Sequence, residues 1–186
     1  MIRNTHVRTL DCPAPAAGAV LDTLAGPDDA VWPSPQWPPM KLDRPLGVGA
    51  AGGHGPIRYT VAEYEPGRRV RFEFGPRFAS TGWHEFRVEP ITGDRCRVVH
   101  DMTVHPRGSM RLAWPLAIRW LHDALVEDAL DNVERATTGV VRTPNRWSLW
   151  VRVMRGRSGR RHGVADQSWT SPAAMSTACR TSSSRG

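Results

Sequence analysis

The fold is decided by residues 57–104, which read IRYTVAEYEPGRRVRFEFGPRFASTGWHEFRVEPITGDRCRVVHDMTV. Apolar and polar side chains alternate along most of this stretch, and a period of two indicates half-buried β-strands. The pattern predicts four strands, at 57–65, 69–74, 81–90 and 95–104. Between them lie Pro66-Gly67, Gly75-Pro76 and Thr92-Gly93-Asp94, residue types that favour turns. Short turns between consecutive strands predict an antiparallel meander.

The segment before the meander predicts a first strand and two short helices. The strand covers residues 2–10, and helices are expected at 14–24 and 29–32. Asp11 precedes Pro13 and is expected to cap the first helix through its carboxylate. The proline-rich residues 33–39 are expected to form an ordered loop or an edge, and the glycine-dominated residues 46–55 a flexible loop.

After the meander the apolar period changes to that of a helix, from about Met110 to Ala136. The residues that recur at steps of three and four are Trp114, Ile118, Leu121, Leu125 and Ala129. The acids of this segment, Asp123, Glu127, Asp131 and Glu134, fall on other faces. Pro115 leaves two alternatives, a helix that begins there or one that is kinked there. Thr138-Gly139 is expected to end the helix.

The positive charge of the chain, formally +7, is concentrated at its C-terminal end. Residues 139–186 hold nine arginines and one acid, Asp166, whereas residues 1–138 hold 16 basic and 17 acidic residues. A neutral body is not the electrostatic footprint of a nucleic-acid-binding domain, so no nucleic-acid partner is expected. We predict a domain at 1–138 and a basic tail at 139–186, largely disordered. Within the tail, Trp147 to Met154 is expected to dock on the domain.

Several classes of protein are not supported by the sequence. No apolar run is long enough to span a bilayer, and the first residues lack the layout of a signal peptide. The three cysteines are widely separated and predict neither a disulfide framework nor a metal site. A cytoplasmic protein with free thiols is the expectation. Gly47-Val48-Gly49-Ala50-Ala51-Gly52 matches a dinucleotide fingerprint, but no helix can start after it, so we interpret it as a loop at a pocket mouth.

This order of elements resembles the helix-grip fold of the START-like (SRPBCC) superfamily, in its polyketide cyclase/dehydrase-like branch. The likeness covers about residues 1–138. It is carried by Trp32-Pro33, Trp37-Pro38, the segment 47–55, Tyr64 to Phe74, Gly82 to Phe86, and His122 to Leu125. The resemblance implies an α+β fold, with a curved antiparallel sheet wrapped around a long C-terminal helix and a ligand cavity beneath that helix. It implies no fixed set of catalytic residues.

The strand pattern assigns side chains to the face that would line such a cavity. His84 shares a face with Phe86, and His100 shares one with Met102. The predicted pocket residues are Tyr59, Phe72, Phe74, His84, Phe86, His100, Met102, Trp114, Ile118, Leu121 and Leu125. No metal or other cofactor is expected, because no third ligand is evident beside the two histidines.

Three functions remain open at this point. The first is a binding module for a small hydrophobic or aromatic molecule. The second is a cyclase- or dehydrase-like enzyme in which His84 or His100 acts as general acid or base. The third is an interaction protein whose arginine-rich tail contacts nucleic acid or membrane. The sequence favours the first, with a small hydrophobic ligand as the partner.

Overall fold

The computed structural model describes residues 1–75 and 80–159, which form one sheet, one long helix and two shorter helices. The strands are β1 Ile2–Leu10, β2 Lys41–Leu42, β3 Ala51–His54, β4 Ile57–Glu65, β5 Arg69–Phe74, β6 Ser80–Pro90 and β7 Cys96–Pro106. The helices are α1 Ala14–Leu21, α2 Met110–Ala113, a π-helical turn Trp114–Ile118, α3 Arg119–Thr138 and α4 Leu149–Gly159. The predicted helix-grip architecture is confirmed.

The sheet is antiparallel, in the order β1-β7-β6-β5-β4-β3-β2. The four strands of the predicted meander are all present, within a residue or two of their expected ends. β1 closes the sheet against β7, so that the first and last strands are neighbours. Because β1 lies beside β7, residues near the N-terminus share a face with residues a hundred positions later.

The register places directly paired residues in rows across one face of the sheet. One row contains His6, His100, Phe86 and Val70, each paired with the next. The adjacent row includes His84, which pairs with Met102 on one side and Phe72 on the other. These rows face the long helix, as the alternation predicts.

The glycine-dominated segment is not simply a loop. Ala51–His54 forms β3 against β4, and Lys41–Leu42 forms the edge strand β2. A Cβ atom on Gly52 would lie 1.9 Å from the carbonyl oxygen of Lys41, so only glycine allows this close pairing. The expected loop was therefore wrong for these residues. The paired strands β3 and β4 occupy the place where the dinucleotide fingerprint would need a helix.

α2, the π-helical turn and α3 follow one another without interruption from 110 to 138. The helix thus begins before Pro115 and takes a π-helical turn through it, since proline has no N–H for the regular hydrogen bond. Gly139 ends the helix in a left-handed conformation (φ 79°), as expected.

The second short helix predicted after β1 is not found. Turns follow α1, and the Asp29 carboxylate accepts hydrogen bonds from the backbone N–H groups of Ala25, Val31 and Trp32. This side chain satisfies the donors that a helix would have used, which explains the difference. Asp11 does not cap α1. It pairs instead with Arg95 and Arg142.

The first part of the basic tail packs on the long helix. The indole N–H of Trp147 donates to Asp128 Oδ2 at 2.8 Å, and Val151 of α4 is buried in the main core. The expected docking of Trp147 to Met154 is confirmed. The largely disordered tail predicted for 139–186 stays a prediction, since Leu149–Gly159 forms α4 and residues 160–186 lie outside the described residues.

Two further features bear on the expectations above. Within the described residues, no helix is both long and apolar enough to cross a membrane. The buried thiols of Cys12 and Cys96 lie 3.8 Å apart and are not bonded as a disulfide.

Candidate functional site

The predicted pocket residues lie on the strands of the sheet and on the long helix, and they fall into two packing groups. Tyr59, Phe72, Phe86 and Leu125 belong to the main core, with Leu121 against it. The second group is small and lies near the π-helical turn. Its members are Met102, Val104 and Trp114, with Ile2, Phe74 and Ile118 packed beside them. His84 and His100 lie between the two groups.

His84 is enclosed by aromatic rings. Its ring stacks on Phe72 and Phe74, with centroids 4.9 and 5.4 Å away, and meets the edge of Tyr59 at 5.1 Å. Burial, aided by the nearby imidazoles of His122 and His54, lowers the pKa of His84 to about 3. The ring is therefore neutral at pH 7 and offers both a donor and an acceptor nitrogen.

His100 joins the sheet to the helix. Its ring lies 5.7 Å from His84, 4.6 Å from Phe86 and 5.2 Å from His122, measured between centroids. Burial first, and neighbouring imidazoles second, lower the pKa of His100 well below that of an exposed histidine. The two histidines expected from the strand pattern are therefore brought together as a neutral pair on an apolar wall.

Several buried polar atoms in this region have no hydrogen-bond partner among the described residues. They include Tyr59 Oη, His100 Nδ1 and His122 Nδ1. Burial raises the pKa of Tyr59, so its hydroxyl stays protonated and can donate. An unsatisfied buried polar atom costs about 1–3 kcal/mol. Such atoms mark the places where a bound molecule or water would be stabilised.

Three more histidines lie at the site that the sequence analysis did not assign. His54 packs between Trp32 and Tyr59, at centroid distances of 4.8 and 5.9 Å, and burial lowers its pKa to about 4. His122 reaches down from α3, and His6 extends from β1. The sequence offered one signal for His6, because a period of two places it on the same face of β1 as the apolar Ile2 and Leu10. The pairing of β1 with β7 could not be read from spacing.

The acids of the long helix do not all face solvent. Asp131 and Glu134 are buried, and both pair with Arg8 of β1, at 2.8 and 2.5 Å. Glu127 accepts from Arg8 Nη2 at 3.0 Å and lies 2.6 Å from His6 Nδ1. An acidic stripe of the helix thus faces a basic stripe of β1.

His6 differs from the other histidines in its charge environment. Burial would lower its pKa, but the hydrogen bonds to Asp123 and Glu127 outweigh that effect and raise it to about 9. Asp123 Oδ1 accepts from Asn4 at 2.8 Å and lies 3.2 Å from His6 Nε2. Burial opposes its ionisation, yet the neighbouring His122, His6 and Asn4 hold the pKa of Asp123 far below the ordinary value.

The expectation of no metal depended on the lack of a third ligand beside His84 and His100. A third histidine does lie there, because the ring of His122 is 5.2 Å from that of His100 and lies in turn beside His6 and Asp123. One ligand atom each from His6, His122 and Asp123 lies within 4.8 Å of the others. The reason given for excluding a metal was therefore wrong.

Two cavities, of about 400 and 500 Å³, lie beneath the segment that follows the long helix. The first is bordered by Asp128, Asn145 and Trp147, and the second by Arg8, Glu127 and Arg142. Neither lies between the aromatic wall and the helix. The ligand space expected there stays a prediction.

The structure resembles several solved proteins, all at low sequence identity. A protein from Thermobifida fusca, solved by NMR, matches with a TM-score of 0.55 and 15% identity, over 73% of this chain and 95% of its own. Truncated norcoclaurine synthase from Thalictrum flavum matches at 0.56 and 13%, over 74% and 93%. CalU16 from Micromonospora echinospora matches at 0.51 and 16%, over 86% and 84%. These likenesses define the class of the protein as a helix-grip domain.

The family follows from the sequence itself. The profile of the family described as "Polyketide cyclase / dehydrase and lipid transport" matches residues 1–138, and the chain belongs to that family. No curated protein matches the chain in sequence.

Proposed function

We propose that the domain binds a small hydrophobic or aromatic molecule between the inner face of its sheet and the long helix. The observation that carries this proposal is the set of unsatisfied buried polar atoms on an aromatic wall, above all Tyr59 Oη and His100 Nδ1. Ligand sites are largely apolar, with a few polar groups that orient the ligand. A molecule with carbonyl or hydroxyl groups would form hydrogen bonds with these atoms while its apolar part packs beside the aromatic side chains.

Of the two ends of the long helix, the end near the π-helical turn is the better entrance for the ligand. Among the described residues, the buried members of the packing group there are Met102, Val104 and Trp114, whereas the buried apolar residues of α3 belong to the main core. A helix segment with few buried contacts opens locally at lower cost than a well-packed one. We therefore expect the ligand to enter beside Trp114.

Native mass spectrometry of the purified full chain tests the proposal, because it compares the native mass with the denatured mass. We expect a small-molecule adduct on the native protein. Tyr59→Phe and His100→Phe should reduce the adduct, since each removes a polar atom that would hold the ligand. Tyr64→Phe is the matched control, because its hydroxyl bonds to Asp22, outside the site. An adduct unchanged in both site variants would contradict the proposed location.

An enzymatic function is the second candidate, a cyclase- or dehydrase-like reaction on a polyketide-like substrate. It is favoured by the neutral pair His84 and His100, whose rings lie 5.7 Å apart. A neutral imidazole can accept a proton from a carbon next to a carbonyl while the second imidazole donates to the oxygen. Turnover of such a substrate should fall in both His84→Gln and His100→Gln. Unchanged turnover in the two variants would exclude this role.

A cytoplasmic location is part of the proposal and is supported by the two free thiols of the core. The third hypothesis, binding by the tail, is best tested by removing residues 160–186. A deletion from residue 140 would also remove Val151 from the core and the bond from Trp147 to Asp128. Loss of binding after the longer deletion would therefore not distinguish tail contacts from damage to the fold.

A further inference from the structure

We propose that His6, His122 and Asp123 form a binding site for one divalent transition-metal ion, of the kind that Zn²⁺ represents. The three residues come from β1 and from the first turns of α3, and their ligand atoms lie within 4.8 Å of one another. Two imidazoles and one carboxylate are a donor set that suits zinc and its neighbours in the first transition row. The proposal does not depend on the hydrophobic ligand.

The distances are close to those that an ion would impose. Asp123 Oδ1 lies 3.2 Å from His6 Nε2 and 3.8 Å from His122 Nδ1. Tetrahedral zinc, with bonds of about 2.0–2.2 Å, holds its ligand atoms roughly 3.4 Å apart. These two separations lie on either side of that value, and the third, between the ring nitrogens of His6 and His122, is at most 4.8 Å. Changes of roughly 1–1.5 Å would therefore complete the site.

The surroundings of His6 are those of a metal-binding histidine. Its second nitrogen, Nδ1, lies 2.6 Å from Glu127 Oε1, and Glu127 is itself held by Arg8 at 3.0 Å. A carboxylate on the far side of the ring holds its orientation, and an ion bound at Nε2 would displace the proton from that nitrogen. Asn4 donates to Asp123 at 2.8 Å and fixes that carboxylate as well.

Two histidine nitrogens at the site have no hydrogen-bond partner that would compete with an ion. His122 Nδ1 and His100 Nδ1 are buried and lack hydrogen-bond partners among residues 1–75 and 80–159. An ion would satisfy the first of these atoms directly. Three protein ligands leave a further position on the ion, which water or His100 would fill, as in zinc sites that bind substrate.

The side chains of the site are partly exposed to solvent, although His122 Nδ1 itself is buried. The side chains of His6, His122 and Asp123 are 13%, 18% and 29% exposed. The geometry thus combines partial access with a fixed carboxylate and a histidine oriented from behind. These features separate the cluster from the exposed acidic groups of the surface.

A titration of the chelator-treated full chain with Co²⁺, followed by displacement with Zn²⁺, tests the proposal. We expect one equivalent of Co²⁺ to produce the visible absorption bands of a four- or five-coordinate site, and one equivalent of Zn²⁺ to remove them. Zn²⁺ alone should raise the melting temperature of the wild type, because an ion that binds only the folded state stabilises it.

Variants locate the site and report on its support. His6→Gln and Asp123→Asn should abolish the one-equivalent absorption and the Zn²⁺-dependent rise in melting temperature. Glu127→Gln should weaken Zn²⁺ binding by about 10–100-fold, as expected for a residue that orients a ligand. His105→Gln is the matched control, because it removes an exposed histidine of β7 outside the cluster.

Circular dichroism before titration shows which variants are folded, and Asp123→Asn is the most conservative in shape. Two results would overturn the proposal. One is a wild type that shows neither the absorption nor the rise in melting temperature. The other is a response that persists in folded Asp123→Asn, which would place the ion elsewhere.

Discussion

The two halves of the long helix rest on the same sheet but meet it in different ways. At the C-terminal half, polar groups are paired: Arg8 lies among three carboxylates, and Asp128 accepts from Trp37, Asn145 and Trp147. At the N-terminal half, neutral histidines and Tyr59 present polar atoms without partners in the described chain. In the function proposed above, a ligand would satisfy the unpaired atoms of the N-terminal half. Buried polar groups that are hydrogen-bonded contribute to stability. Buried polar groups without a hydrogen bond point to a candidate binding site.

The largest expected loss of stability comes from removing the ion pairs of Arg8 at the C-terminal half of the helix. Arg8→Met leaves Asp131 and Glu134 buried without their cation, and removing one partner of a buried ion pair costs about 3–5 kcal/mol. Urea unfolding followed by circular dichroism measures the loss. Arg3→Met on the exposed face of the same strand should change the unfolding free energy by less than about 0.5 kcal/mol. Equal losses in the two variants would refute the assigned role of the buried network.

The contact between the helix and the following segment is the next to test. Asp128→Ala removes an acceptor shared by two indoles and the Asn145 amide, at 2.7–2.8 Å, and should cost about 2–3 kcal/mol. Trypsin should then cleave faster at the exposed Arg146 and Arg152, and mass spectrometry of the fragments identifies the sites. Asp28→Ala, at an exposed turn, should leave cleavage unchanged. No difference between these variants would mean that Asp128 does not hold the segment.

The buried histidines at the N-terminal half of the long helix should make the stability of the protein depend on pH. The pKa of His84 is about 3 in the folded protein and about 6.5 in an unfolded chain, so the unfolded state binds more protons as the pH falls between these values. The contribution of His84 is therefore fully present above pH 6.5 and is lost as the pH falls toward 3. It amounts to at most about 1.4 kcal/mol per pH unit. The difference in slope between wild type and His84→Phe isolates it, and equal slopes would show that the ring is not buried as described.

The smallest expected effect is on the unfolding free energy, which should change in opposite directions when each of two tyrosines is replaced by phenylalanine. Without ligand, Tyr59→Phe removes an unsatisfied hydroxyl and should leave stability unchanged or raise it by about 1 kcal/mol. Tyr64→Phe removes a hydrogen bond to Asp22 at 3.0 Å and should lower stability by about 0.5–1.5 kcal/mol. Thermal unfolding of the delipidated proteins measures both. A loss at Tyr59 as large as that at Tyr64 would show that its hydroxyl has a partner.

Part of the site was predictable because the alternation of apolar and polar residues in a strand shows which side chains share a face. The alternation in β6 and β7 places His84 and His100 inward, and both are buried. His6 was missed because its surroundings come from a helix more than a hundred residues later. His122 was missed because a helical period marks an apolar face and does not show which neighbour its other residues meet. β3 was missed because its glycines have no side chains and so show no alternation of apolar and polar residues. The strand is evident only from its close backbone pairing.

The sequence by itself determined the meander, the long helix that follows it, the neutral charge of the domain and the inward direction of His84 and His100. These depend on local periodicity and composition, which act over a few residues. Only the tertiary structure decided that β1 pairs with β7, that the acids of α3 face Arg8 and His6, and that His6, His122 and Asp123 meet. Such contacts join residues that are distant along the chain. They depend on strand order and on the position of the helix over the sheet, which no local pattern encodes.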